Sequence, residues 1–338
     1  MTDGENESVD AGLPQGDRIS IARPETEGFP HLSPGMLPRM TAELISVFQS
    51  VSQLYPLAIA IAGLLTSSGL LHLLAWLGTG TAWEGPLSLR KPALFGISGG
   101  LTVWSIAWVL PRLHPLRFDR LLANSMAIGL LLEVGLITGQ QWRGQASHFN
   151  RSTPLDASVE AFMLALISFV TAGILVLAVR SIRLPAQPAE TRIAIRGGLW
   201  LLVVSCGLGF AAHALGEWNV AAGHSPSILR PAGVLKYPHG AALHAIQWLP
   251  LLAWGLRQFR IRSAVSLMIY ALMAQILFLT AALWQTTQGR DRFDLDLMGG
   301  SLLAAAGLLV LTPLITIFCT NASRFATTRG KQTAGKRA

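Results

Sequence analysis

The sequence predicts an all-α membrane protein, a bundle of about eight transmembrane helices. Three observations predict it. Apolar residues make up 51% of the chain and charged residues only 13%, about half the share expected of a soluble domain. Apolar runs long enough to cross about 30 Å of hydrocarbon recur from residue 55 to residue 320. The charges between them fall in short clusters, with no basic stripe carrying interleaved aromatics, so the formal net charge of +8 does not mark a nucleic-acid partner. At this Leu, Ala and Gly composition only helices satisfy their own backbone in lipid.

Taken in order, residues 1–40 are polar, acidic and rich in Pro and Gly, and read as a disordered cytoplasmic tail. The first twenty contain no apolar stretch, so a cleavable signal peptide is not expected. Within 41–54, Leu44, Val47, Phe48, Val51 and Leu54 recur at helical spacing, which predicts an amphipathic helix lying at the interface. Eight spans follow at about 55–79, 93–112, 121–139, 161–181, 197–220, 239–257, 263–287 and 298–320. They divide into a first four-helix half, 55–181, and a second, 197–320, before a basic cytoplasmic tail, 321–338. Cys206 and Cys319 lie inside apolar runs without CxxC spacing and read as small core residues.

An even number of spans leaves both termini on one side. Of the 26 Lys and Arg residues, 18 fall on that side and 8 on the other, which predicts cytoplasmic termini by the positive-inside rule. Acidic residues have the opposite bias. Beyond the N-terminal segment only Asp119 and Glu190 are inner, whereas Glu84, Glu133, Asp156, Glu160, Glu217, Asp291, Asp294 and Asp296 are outer.

A tandem repeat is also expected. LRKPALFGISGGLTVWSIAWVL (89–110) aligns without gaps on LKYPHGAALHAIQWLPLLAWGL (235–256), with Pro92 matching Pro238 and Trp108 matching Trp254. Four helices per half would give two halves of like orientation, related about the membrane normal. The basic residues beside the prolines, Lys91 and Lys236, have two readings: interfacial anchors, or a positive rim that binds an anionic group.

Ionisable groups in a span are costly unless paired or facing a cavity, so those sharing one depth are site candidates. His213 and Glu217 are four apart on one helical face and can act as a proton-handling pair. His244 and Gln247 share another face, while His239 and His244 are five apart and cannot chelate one metal from a regular helix. His213, Glu217, His244 and His239 are the catalytic candidates. Glu133, deeper in its span, is the candidate for a proton or ion path, and His72 for an interhelical hydrogen bond. The loop GQQWRGQASHFNRSTPLDASVE from Gly139 adds Gln141, Arg143, His148 and Asn150; with Lys91, Gln247 and Lys236 these are the substrate-binding candidates. Its STPLD stretch reads as a helix cap. HExxH spacing is absent, so the metal ligands stay unassigned, with haem or a metal ion both open as cofactors.

Lys91-Pro92, QWRGQASHFNRSTPLD, Gly223-His224-Ser225 and PHGAALHAIQWLPLL together resemble a family of bacterial multi-pass membrane proteins without a known reaction. The resemblance spans most of the membrane region but neither residues 1–50 nor the basic tail, and it implies the bacterial inner membrane. After Ser225 this chain has a shorter loop than the family pattern, PSILRPAGVL. A 4+4 bundle with histidines is also similar in shape to haem A synthase-like proteins, although the histidine pairs of that architecture have no counterparts at matching places here. Three functions remain open on these residues. One is a redox or cofactor-binding enzyme with a periplasm-facing site for a hydrophobic or anionic small molecule. The others are a small-solute or ion-coupled transporter and a non-catalytic scaffold or sensor.

Overall fold

A computed structural model describes residues 36–335 apart from positions 86 and 230, with side chains from 38 to 320. Of the tail read over residues 1–40, residues 1–35 lie outside the described residues, and 36–40 are not disordered but open the first helix. Ten α-helices carry the chain among the described residues: α1 (Met36–Leu54), α2 (Pro56–Thr79), α3 (Arg90–Val109), α4 (Asp119–Trp142), α5 (Pro154–Arg180), α6 (Ala189–Ala221), α7 (Lys236–Leu243), α8 (Ala245–Gln258), α9 (Ala264–Thr287) and α10 (Leu297–Gly335). Seven of them, α2–α6, α9 and α10, are long and apolar enough to cross a bilayer.

The eighth predicted span differs from expectation. Residues 239–257 form no continuous helix: α7 ends at Leu243, and His244, at φ −84° and ψ 0°, starts α8. Together the two run from Lys236 to Gln258, about 34 Å of helix, enough for one crossing. At the break the His244 N–H bonds to the Ala242 carbonyl, and the Ala245 N–H, the helical donor of the Ala241 carbonyl, makes no bond to it. Gln275 of α9 fills the gap. Its amide donates to the Ala241 carbonyl at 2.5 Å, and its Oε1 accepts from the Trp248 indole at 2.7 Å. Gln275→Leu should therefore leave a buried carbonyl and a half-buried indole N–H unpaired, destabilising the bundle by about 1–3 kcal/mol. Denaturation in mixed micelles measures this, and an unchanged midpoint would show that the break needs no cap.

The halves are less separate than the predicted division at 181–197. One core gathers Leu65, Val103, Leu110, Met126 and Leu177; the other gathers Leu249, Leu256, Met268 and Ala271. α6 belongs to both, giving Leu199 and Leu202 to the first and Ala194 and Leu201 to the second. Its middle is apolar on every side, since it gives residues to both cores and turns Trp200 and Val204 outward. α10 packs on α9 and otherwise leaves its sides to lipid.

Lipid tails are as apolar as leucine, so helix association relies on close packing and polar ties. α2 and α3 meet at Gly69, Gly96 and Gly100, where backbones touch. At the opposite end from the 143–153 loop, Arg180 clamps both oxygens of Asp119 at 2.6 and 3.0 Å and the His114 carbonyl at 2.7 Å, tying α5 to α4. The predicted interfacial helix is α1, longer than 41–54, and its Glu43 accepts from Trp254 and Gln258 of α8. In both proposed repeats a leucine in the same conformation (Leu89, φ −60° and ψ −13°; Leu235, φ −60° and ψ −16°) precedes the helix that opens with the basic residue.

Candidate functional site

The loops 80–89, 143–153, 222–235 and 288–296 share one end of the bundle. The 143–153 loop organises it. Thr153 caps α5: its Oγ1 accepts from the Asp156 N–H at 3.1 Å and donates to Asp156 Oδ2 at 2.6 Å, with Pro154 preset in the first turn. Asp156, 2% exposed, also accepts from Gln140 at 2.9 Å and from Arg143 at 3.2 Å. One carboxylate thus joins the end of α4 to the start of α5.

Arg143 and Asn150, read as substrate contacts, hold this loop. Arg143 bonds Asp156 and Gln140. The Asn150 amide donates to the Ala146 carbonyl at 3.2 Å, and its Oδ1 accepts from Ser152 Oγ at 2.7 Å. The partners of Arg143 lie across a turn and in another helix, which is why the sequence alone does not show its structural job. Gln141 is half-buried in the last turn of α4, where its neighbour Gln140 carries the bond to Asp156.

The loop then inserts His148 and Phe149 as a wedge between α3 and α6. Phe149 adopts φ +57°, a left-handed conformation costing about 1–2 kcal/mol in a residue with a Cβ. Three contacts hold it there. Its N–H donates to Glu160 Oε1 at 2.7 Å, its ring stacks on His213 with centroids 5.5 Å apart, and it fills the space over Gly216. His148 packs on Phe95 in the first turns of α3, with its Nδ1 2.9 Å from Ser147 Oγ.

Behind the wedge, ligand atoms of Glu160, His213 and Glu217 all lie within 4.8 Å of one another. The expected pair His213/Glu217 is there, on successive turns of α6. Glu160 comes from α5 and was not among the predicted site residues; its signal was a second acid four residues after the capping Asp156, hence on the same helical face. Glu160 is 4% exposed, and its Oε2 makes no hydrogen bond. Arg151, also missed, lies 2.5 Å from Glu217 Oε2 and 3.5 Å from Glu160 Oε2, and its side chain is mostly exposed.

On the other side of His148 stand the basic starts of α3 and α7. Burial, followed by the charges of Lys91, Lys236 and His213, pushes the His148 imidazole down to about 3. Lys236 also reaches Ser227 at 3.1 Å, and Arg90 pairs with Glu84 at 3.3 Å. Basic groups in the first turn oppose the helix dipole, so neither helix gains locally from them. The sign of the pH effect follows. An exposed His148 takes a proton below its ordinary pKa of 6.5, whereas the docked one stays neutral down to about 3, so docking is fully present above pH 6.5 and weakens as pH falls below it. Once corrected for the slower intrinsic exchange at low pH, the protection factor at 145–152 should fall between pH 7 and pH 5, and much less so in His148→Asn. Equal acid sensitivity in both would assign the effect elsewhere.

The other candidates lie apart from the three ligands. His239 donates from Nδ1 to the Ser205 carbonyl at 2.8 Å, and Ser205 Oγ donates to the His239 carbonyl at 2.9 Å. This clasp joins α7 to α6 about 12 Å along α6 from His213. His244 bonds Gln247 at 3.2 Å on the expected shared face, at the α7–α8 break, and the buried Gln247 Nε2 has no further partner. Glu133 is buried in α4 with Oε2 unpartnered. His72 makes the interhelical bond: Trp142 donates to its Nε2 at 3.2 Å while Nδ1 donates to the Ser68 carbonyl at 2.7 Å. With both nitrogens engaged, His72 has no lone pair for a haem iron. Compared with protein-family models, curated proteins and solved structures, the chain matches none.

Proposed function

We propose that the protein is a membrane-embedded enzyme of the bacterial inner membrane. Its active site lies behind the His148–Phe149 wedge and faces the periplasm, and both termini are cytoplasmic. The convergence of Glu160, His213 and Glu217 on one spot carries this reading. A buried carboxylate beside an imidazole in a water-poor site can hold and pass a proton, and the charge bias of the loops favours this orientation. Lys91, Lys236 and Arg90, with neutral His148 as a hydrogen-bonding neighbour, would hold the anionic part of the substrate, leaving its apolar part to the lipid-facing side chains.

Comparative mass spectrometry of lipids and metabolites tests it, using cells that express wild type, His213→Ala or Lys91→Met/Lys236→Met. One anionic amphiphile should accumulate unprocessed with His213→Ala, and binding to the purified protein should be lost in the lysine double variant. Identical profiles in all three would favour a scaffold. A transport reading rests on Glu133, about 10 Å along α4 from Gln140. Ion-coupled flux in proteoliposomes, abolished by Glu133→Gln and insensitive to His213→Ala, would replace the enzyme reading with it.

A further inference from the structure

We infer that Glu160, His213 and Glu217 form a binding site for one divalent first-row transition ion, an inference that rests on placing the active site behind the wedge. Glu160 is the first reason. A carboxylate that is 4% exposed, with one oxygen held by the Phe149 N–H at 2.7 Å and the other without a hydrogen bond, is oriented rather than satisfied. Its Oε2, without a hydrogen bond, faces the Arg151 guanidinium at 3.5 Å. Outer hydrogen bonds of this kind are what aim a carboxylate at a metal.

Ligand chemistry and geometry agree. Two carboxylates and one imidazole suit zinc, manganese or iron; calcium and magnesium are bound through oxygen, and sites for softer ions recruit thiolate. His213 and Glu217 stand on successive turns of one helix, and Glu160 arrives from its neighbour α5, so two rigid elements supply the set. Metal–ligand bonds of about 2.0–2.2 Å require donor atoms about 3.3 Å apart, and side-chain rotation closes the present spacing of up to 4.8 Å. Three protein ligands leave positions open for water and substrate, the pattern of catalytic rather than structural sites.

Arg151 then has a definite role. Its guanidinium bridges Glu217 and Glu160, standing where a metal's charge would stand, yet its side chain is 63% exposed and its stem can swing to solvent. It is a displaceable counter-ion for the two carboxylates, exchanged for the metal rather than bound beside it. A guanidinium that only stabilised the fold would leave the site disordered when removed.

Metal analysis of the full-length protein in detergent tests the inference, after chelator treatment, reloading with Zn²⁺ or Mn²⁺, and desalting. One ion per chain is expected in wild type, none in Glu160→Gln or His213→Ala, and binding at least as tight as wild type in Arg151→Ala. Glu217→Gln stands in should either ligand variant elute as aggregate. A wild type without stoichiometric metal, or one ion retained in all the ligand variants, would overturn it, as would loss of binding in Arg151→Ala. The two readings fail separately. Absence of metal with the His213→Ala accumulation intact removes the metal and leaves the proton-handling enzyme; bound metal with unchanged cell profiles does the reverse.

Discussion

Gly96→Ala is expected to disrupt the first half of the bundle, although it adds one methyl group. A Cβ at Gly96 would lie 2.8 Å from the Gly69 Cα, the Gly69 nitrogen and the Leu65 carbonyl, all backbone atoms that cannot rotate away. The facing residue is equally tight: a Cβ at Gly69 would lie 2.5 Å from the Ile97 nitrogen and 2.7 Å from the Ala93 carbonyl. α2 and α3 must then separate, and in lipid no hydrophobic force draws them back. Overpacking of this kind costs about 3 kcal/mol, which for a chain of this length corresponds to a fall of about 4 °C in apparent melting temperature. Gly99→Ala is the control on the same helix. Its Cβ would meet Val134 at 3.6 Å and Leu65 at 3.7 Å, ordinary contacts, so its melting temperature should stay near wild type. Equal losses in the two variants would refute the close crossing.

Gly216→Leu should remove the site while sparing the bundle. The Phe149 ring lies against Gly216, so any side chain there expels it. With the ring displaced, two of the three contacts are lost and the N–H bond to Glu160 alone opposes the left-handed backbone at Phe149, so that bond weakens. Loss of an outer-shell bond typically weakens metal affinity 10–100-fold, so zinc binding should fall by about that factor. The melting temperature should move far less than in Gly96→Ala, because the wedge lies at the end of the bundle rather than in its core. A variant that binds zinc normally would show that the Phe149 N–H does not orient Glu160.

Much of the fold was legible because its signals are local. Twenty-residue apolar runs mark spans wherever they occur, and Leu44, Val47, Phe48 and Val51 marked α1 by spacing alone. The break at His244 was not legible: α7 and α8 are continuous in hydropathy, and the residue that makes the break tolerable, Gln275, lies in another helix. The site divides the same way. His213 and Glu217 declare themselves by spacing along one helix. Glu160 and Arg151 join them only through the turn at Phe149, whose positive φ no residue type announces. Arg143 and Asn150 show the converse, since polar groups in a loop look alike in sequence whether or not they also hold the loop together.

The most direct measurement is anomalous diffraction at the manganese edge from crystals of the full-length protein soaked in Mn²⁺. A single peak within about 2.2 Å of Glu160, His213 and Glu217, with the Arg151 side chain turned to solvent, is the expected result. A peak elsewhere, or none with Arg151 still bridging Glu160 and Glu217, would contradict a metal centre behind the wedge.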